Sequence, residues 1–185
     1  MKAASGVHKT EIRRQNETRL AGLYEEYYDR IARYVHLHTG DRMVAQDLAG
    51  ETFLRALDSL DSYQERGVPL QAWLFRIAHN LVVDHFRKSK KMVQVPLDTE
   101  TVDSGEDPVD VAEQNIELER MNRAMEGLTP EQRAVIGLRF MAGLPSKETA
   151  RILNKSDGAV REMQRAAIEN LRKRLTPEGR GDSHD

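Results

Sequence analysis

The side chains with the greatest chemical reach are six histidines and a set of arginines, because the chain contains no cysteine. His36 and His38 stand two positions apart in a segment of helical periodicity and therefore diverge. His79 and His85, six apart, diverge as well, and Asp84-His85 reverses the order of a His-Asp metal motif. Neither pair offers the convergent ligands a metal ion needs. Lack of cysteine removes thiolate nucleophiles, disulfides and thiolate metal sites together. A glycine-rich phosphate loop, a Gly-x-Ser-x-Gly elbow and a His-Glu-x-x-His pair are all missing from the sequence. The expectation is a protein with no catalytic residues, no metal and no cofactor, hence no enzyme.

The arginines are arranged differently. Arg76, Asn80, Asp84 and Arg87 follow one another at spacings of four, four and three, so on a helix they share one face. Asn80 and Arg76 suit bases and phosphates, and Asp84 is placed to pair with Arg87 at i, i+3. Arg87-Lys88-Ser89-Lys90-Lys91 then sets four cations in five residues, which reads either as a phosphate-binding patch or as a solvated helix end favoured by the helix dipole. Trp73, the one tryptophan, has the spacing of a core residue. Farther along, Ser146 to Leu175 reads as a short capped helix, a tight turn and a longer helix whose outer side carries Arg161, Glu162, Arg165 and Arg172. That is helix-turn-helix geometry, with Arg161 and Arg165 one turn apart and suited to guanine edges or phosphates. An ordinary helical hairpin with a charged outer face has the same spacing, and this stretch alone leaves the two readings open.

The elements that must hold these groups are helices. Apolar residues recur at helical spacing, and no stretch alternates strictly enough for a half-buried strand. A first helix carries Leu20, Leu23, Tyr27, Ile31 and Val35 inward. A second, capped by Asp41 after Gly40, carries Ala45, Leu48, Ala49, Thr52, Phe53, Ala56, Leu57 and Leu60. Ser62 to Gly67 reads as a loop, and Pro69 opens a third helix with Leu70, Trp73, Leu74, Ile77 and Leu81 inward. Proline, glycine, serine and aspartate then dilute the periodicity, which predicts a flexible tether over 92–108. Helicity resumes near Val109 with Leu118, Met121, Met125 and Leu128 on one side. Thr129-Pro130-Glu131-Gln132 is a capping box ahead of Val135, Ile136, Leu138 and Phe140. Gly143 is the expected left-handed helix end, Ser146 the next cap and Asn154 the following stop, while Val160, Met163, Ala167, Leu171 and Leu175 face inward on the last helix. The fold class is all-α, two small helical domains joined by an acidic linker. Its boundaries are an N-terminal extension over 1–18, a first domain over 19–91, the linker over 92–108, a helix-turn-helix domain over 109–176 and a disordered tail over 177–185.

The net charge of −2 looks wrong for a protein that grips nucleic acid unaided. Residues 92–127 carry ten acidic side chains against Arg120 and Arg123, a local net of −8, whereas residues 128–175 carry ten basic against five acidic. Two mildly basic blocks thus flank an acidic connector, and such weak basicity argues that a partner lends DNA affinity. No apolar run approaches the roughly 20 residues that span a bilayer, and Met1 to Arg19 lacks a secretory apolar stretch, so the expected location is cytoplasmic with no membrane role.

Two segments then read together. Asp47-Leu48-Ala49-Gly50-Glu51-Thr52-Phe53-Leu54-Arg55-Ala56 and Ala72-Trp73-Leu74-Phe75-Arg76-Ile77-Ala78-His79-Asn80-Leu81-Val82-Val83-Asp84-His85-Phe86-Arg87 resemble the signature helices of sigma region 2. Leu128-Thr129-Pro130-Glu131-Gln132-Arg133-Ala134-Val135-Ile136, followed by Ser156-Asp157-Gly158-Ala159-Val160-Arg161, is similar to sigma region 4. The resemblance, over about residues 20–175, is to bacterial RNA polymerase sigma factors of the extracytoplasmic-function (ECF) type. It implies a factor that directs polymerase core to promoters. Asp47, Leu48, Glu51, Phe53 and Arg55 would dock on the clamp helices of the large subunits, and Arg133, Val135 and Ile136 would lie near the flap. Arg76, Asn80, Asp84, Arg87 and Lys88, with Tyr63 in the Ser62 to Leu70 loop, would hold the melted minus-ten strand and a flipped base. Lys155, Ser156, Arg161, Glu162 and Arg165 would read the minus-thirty-five duplex. An anti-sigma partner is compatible with the same resemblance. Asn154-Lys155 stands where the family usually has Gly-Ile, and Arg165-Ala166 where His-Arg or similar is common, so no promoter sequence carries over. The competing reading is a stand-alone helix-turn-helix regulator, which leaves the first domain unexplained.

Overall fold

The computed structural model describes residues 3–60, 63, 67–92 and 123–176, and all its regular elements are helical. Helix α1 runs Ala3–Thr39, α2 Arg42–Ser59 and α3 Leu70–Met92. A helical turn over 123–126 leads into α4, Pro130–Ile136, which continues as a π-helical turn over Gly137–Met141. Helices α5, Ser146–Leu153, and α6, Asp157–Leu175, complete the order. The tether expected over 92–108, except its first residue, Leu118 and Met121 of the returning helix, and the tail over 177–185 lie outside the described residues.

Local signals set most of the boundaries. Gly40 adopts φ +69 and stops α1, and the Asp41 carboxylate accepts from the Val44 N–H 3.0 Å away to start α2. The Thr129 hydroxyl accepts from the Gln132 N–H while the Gln132 amide oxygen accepts from the Thr129 N–H, a complete capping box at the head of α4. Gly143 is left-handed at φ +68, and Asn154 at φ 52, ψ 47 ends α5. Ser146, expected as a cap, is instead the first residue of α5, and the capping position falls to Pro145 without a side-chain bond. Helix α1 starts far ahead of its apolar stripe. Residues 3–19 contain Ala, Lys, Glu, Arg and Gln and no proline, a composition that favours helix.

The N-terminal half is a three-helix unit closed over Ile31, Val35, Ala49, Phe53, Leu74 and Ala78. Tyr34 and Phe75, which the periodicity did not single out, are its largest fully buried side chains. Two inward assignments fail: Leu57 is 43% exposed and Phe140 is 59% exposed. For Phe140 the reason is the π turn, in which the Ala142 N–H bonds the Gly137 carbonyl five residues back and the wider turn swings the following side chains off the α-helical register.

The two halves are not separate bodies. Leu138, Ala142, Leu144 and Ile152 belong to the same buried cluster as Tyr34 and Phe75, and Leu37 of α1 packs on the cluster of Met125, Leu128, Ile136 and Ala167. A smaller core of Val135, Ala150 and Val160 holds α5 and α6 together.

Candidate nucleic-acid and polymerase interfaces

Helix α3 buries Leu74, Phe75, Ala78, Leu81 and Val82, and this fixes which of its sides faces out. Arg76, Asn80, Arg87 and Lys88 are exposed there and Asp84 is half-buried. An Asp84 carboxylate oxygen lies 3.0 Å from the Arg87 guanidinium, the pairing the spacing predicted. Val83 and Phe86 are also exposed on this helix end, apolar groups among cations that the charge pattern did not bring out. Tyr63 leans on Trp73, ring centroids 4.9 Å apart, and its hydroxyl donates to the Val68 carbonyl at 2.7 Å. This couple ties the loop ahead of α3 to the helix, and Trp73 is partly buried, as its spacing indicated.

His79 serves the interior. Tyr34 is fully buried, burial raises its phenol pKa, and its hydroxyl lies 2.8 Å from His79 Nδ1. Burial also pushes the His79 imidazole below its ordinary pKa, which favours the neutral ring beside the phenol. Among the described residues no group of three or more His, Asp or Glu side chains converges as a metal site.

On α2 the expected docking residues divide. Asp47 is exposed, Glu51 and Arg55 form a partly exposed ion pair at 2.8 Å, and Leu48 is half-buried against the core. Phe53 is buried edge-on to the Tyr24 ring, centroids 4.8 Å apart, which leaves its side chain to packing rather than to a partner. The surface instead presents residues missed by the pattern. Met43 is 71% exposed and Leu54 61% exposed, and with Leu57 they form a stripe, completed by Asp47 and Gly50, at spacings of four, three, four and three. Apolar residues on the side of α2 opposite Ala49 and Thr52 were the available signal, since an amphipathic helix with one partner has no need of them.

In the C-terminal half the turn between α5 and α6 is set by left-handed Asn154 and by the Ser156 hydroxyl, which accepts from the Ala159 N–H at 3.1 Å. Lys155, Ser156, Arg161, Glu162 and Arg165 are all exposed on this turn and the start of α6. Arg161 pairs with half-buried Asp157 and Arg165 with exposed Glu162, each at 3.0 Å and one turn back on α6. Arg133, Val135 and Ile136 differ from expectation. Val135 and Ile136 point into the core because they occupy the inner side of α4, and no surface of theirs remains for a partner in this arrangement. Arg133 is half-buried and its Nη2 donates to the Glu126 and Leu128 carbonyls at 3.3 and 3.4 Å, which ties down the turn before α4.

The chain thus holds two all-helical modules, one with a cationic α3 face beside the Tyr63–Trp73 couple and one with two helices joined by a tight turn. Residues 23–92 match Sigma-70 region 2 and residues 124–173 match Sigma-70, region 4. The chain is 35% identical over 161 residues to the ECF RNA polymerase sigma factor BldN of Streptomyces coelicolor, an alignment covering 85% of this chain and 61% of BldN. It is 30% identical over 159 residues to the ECF factor SigX of Bacillus subtilis, covering 83% of this chain and 81% of SigX. The fold is shared with CnrH, solved with the cytosolic domain of CnrY, at a TM-score of 0.67 and 22% identity over 94% of this chain and 97% of that one. It is shared also with RpoE of Bartonella quintana, solved with the anti-sigma factor NepR, at 0.68 and 21% identity over 86% and 98% of the two chains. This chain belongs to the sigma-70 family and, within it, to the ECF sigma factors.

Proposed function

We propose that this protein carries RNA polymerase core to promoters, capturing the minus-thirty-five duplex with α6 and holding the opened minus-ten strand on α3. The observation that supports the reading best is the presence, in one chain and in the family's order, of two modules that each turn a cationic face outward. Arg76, Asn80, Arg87 and Lys88 supply phosphate and base contacts on one module; Lys155, Ser156, Arg161 and Arg165 supply them on the other. With a net charge of only −2 and cations already paired at Arg87, Arg161 and Arg165, the chain is poorly equipped to hold DNA alone. Core supplies the rest. The α2 stripe of Met43, Leu54 and Leu57, edged by Asp47 and Glu51, is the surface that fits a helical polymerase element. The protein performs no chemistry of its own on this reading, works where polymerase works, in the cytoplasm, and is open to control by an anti-sigma protein. Among the described residues no helix is long and apolar enough to cross a membrane.

The test is transcription of a fragmented genomic template by purified core with and without the chain, start sites being mapped by sequencing. New start sites that share two upstream elements are expected. Specific duplex binding by the chain alone at physiological salt, with no new start sites, would instead favour a stand-alone helix-turn-helix regulator.

A further inference from the structure

Val83 and Phe86 of α3 are 50% and 40% exposed, and neither takes part in a hydrophobic cluster of the described residues. Core packing therefore explains neither. Helix propensity does not explain Val83 either, since a β-branched side chain is a poor choice on a solvated helical surface. What surrounds it is a face built for nucleic acid. Asn80 lies three positions before Val83, Arg87 four after it and Arg76 seven before it, so all three project on its side of α3, and all are exposed. Lys88 adds a further exposed cation, and the Asp84 carboxylate is taken up by Arg87 at 3.0 Å. An apolar group amid cations and an amide fits a ligand that carries phosphate and sets a methyl beside a polar atom. Phe86, three positions beyond Val83 and edge-on to His85 with ring centroids 5.6 Å apart, widens the apolar spot toward the flank.

We propose that Asn80 and Val83 together read a thymine of the minus-ten strand, Asn80 donating from its amide nitrogen to O4 and Val83 packing on the 5-methyl group. Of the four bases, thymine alone sets a carbonyl acceptor next to a methyl on one edge. Side chains three apart on a helix stand about 5–6 Å from each other at Cβ, a gap that two neighbouring substituents of one base can bridge. Adenine would satisfy the Asn80 amide but offers Val83 no methyl, and cytosine presents an amino donor in place of O4 and a bare C5–H. Arg76 and Arg87, on either side along α3, hold the flanking phosphates. Phe86 closes the methyl contact against water. The same contact distinguishes thymine from uracil, which differs at this edge only by the methyl. The inference rests on the proposed hold of α3 on the opened strand and adds the base and the atoms that are read.

The test uses polymerase core with the full-length chain on a promoter found by start-site mapping, its minus-ten thymines replaced one at a time by 2′-deoxyuridine. At one position the exchange is expected to weaken open-complex formation about fourfold, the scale of one buried methyl. With Val83→Ala in place of the unmodified chain, the same exchange should change nothing. Alanine is the better helix former at an exposed site, so the helical circular dichroism of the variant should hold. A promoter on which no thymine methyl matters, or a methyl effect that persists in Val83→Ala, overturns the proposal. So does weaker core binding by Val83→Ala, which would assign the apolar spot to a protein partner. If core and chain give no start sites at all, the sigma reading fails by itself, and the base contact is decided on the free chain labelled at its valine methyl groups. A larger Val83 methyl shift with oligothymidylate than with oligodeoxyuridylate then sustains the contact; equal shifts remove it.

Discussion

On the proposed function, Asn80 is the residue whose loss should bear most directly on strand opening. It is exposed at the middle of the outward α3 face, one turn from Arg76 and from Asp84, and its amide offers both a donor and acceptors to an unpaired base. Replacing Asn80 with alanine is expected to lower open-complex formation on a duplex promoter about tenfold, the scale of one or two lost hydrogen bonds. A template melted beforehand around minus ten should restore most of the loss. Potassium permanganate footprinting on both templates measures it, and equal deficits would remove Asn80 from the opening step. Arg161 is argued in the same way on α6. Arg161→Ala should weaken promoter capture at constant core affinity and, if the side chain meets phosphate, reduce the salt slope of binding by about 1; a parallel loss of core binding would contradict the assignment.

At the level of elements, α2 makes the sharpest claim, because one helix uses two sides. Ala45, Ala49, Thr52, Phe53 and Ala56 build the core, while Met43, Leu54 and Leu57 stay in solvent. Leu54→Asp is expected to reduce core affinity at least about tenfold, since it sets a charge in an apolar contact, and to leave the denaturation midpoint of the isolated chain within error. Competition against a labelled reference sigma factor measures the first and urea titration the second. Most helix ends were legible in the sequence because Asp41 and Thr129 cap with their own side chains within a few residues and Asn154 tolerates the left-handed backbone that stops α5. Assignments that depended on register across a longer span did worse. Phe140 followed the α-helical period up to a π turn that nothing in the residue pattern announces, and Leu57 was assigned to the core because a period of 3.6 cannot say how wide the buried arc is. The same limit moved Phe53, Val135 and Ile136 from partner contact to packing: family motifs identify helices more surely than they identify which side of each helix is wet.

For the molecule as a whole, two helical modules could be read from the sequence, but the seam between the halves could not. Its members, Tyr34, Gly137, Leu138, Ala142 and Ile152, are apolar or small residues whose partners lie some hundred positions away. The same seam carries a pH dependence. His38 is only 8% exposed, its ring lies edge-on to Tyr34 at 4.8 Å, and burial, with His79 of α3 and Arg133 of α4 facing it, pushes its pKa from 6.5 down to about 3. The unfolded chain therefore takes up this proton first as the pH falls. The stability that neutral His38 contributes is complete above about 6.5 and drains away toward about 3. In that window the decline should approach roughly 1 kcal/mol per pH unit. Urea denaturation at successive pH values measures it, and His38→Gln should flatten the slope; an unchanged slope would assign the dependence elsewhere.

The apposition of Gly137 and Tyr34 also bears on how such proteins can be recombined. A chimera that joins this N-terminal half to a promoter-reading half taken from a relative inherits whatever residue that relative carries opposite the Tyr34 ring. Where it is glycine the graft should close its seam as this chain does; where it is anything larger, the added atoms should meet the Tyr34 ring and strain the junction between the halves.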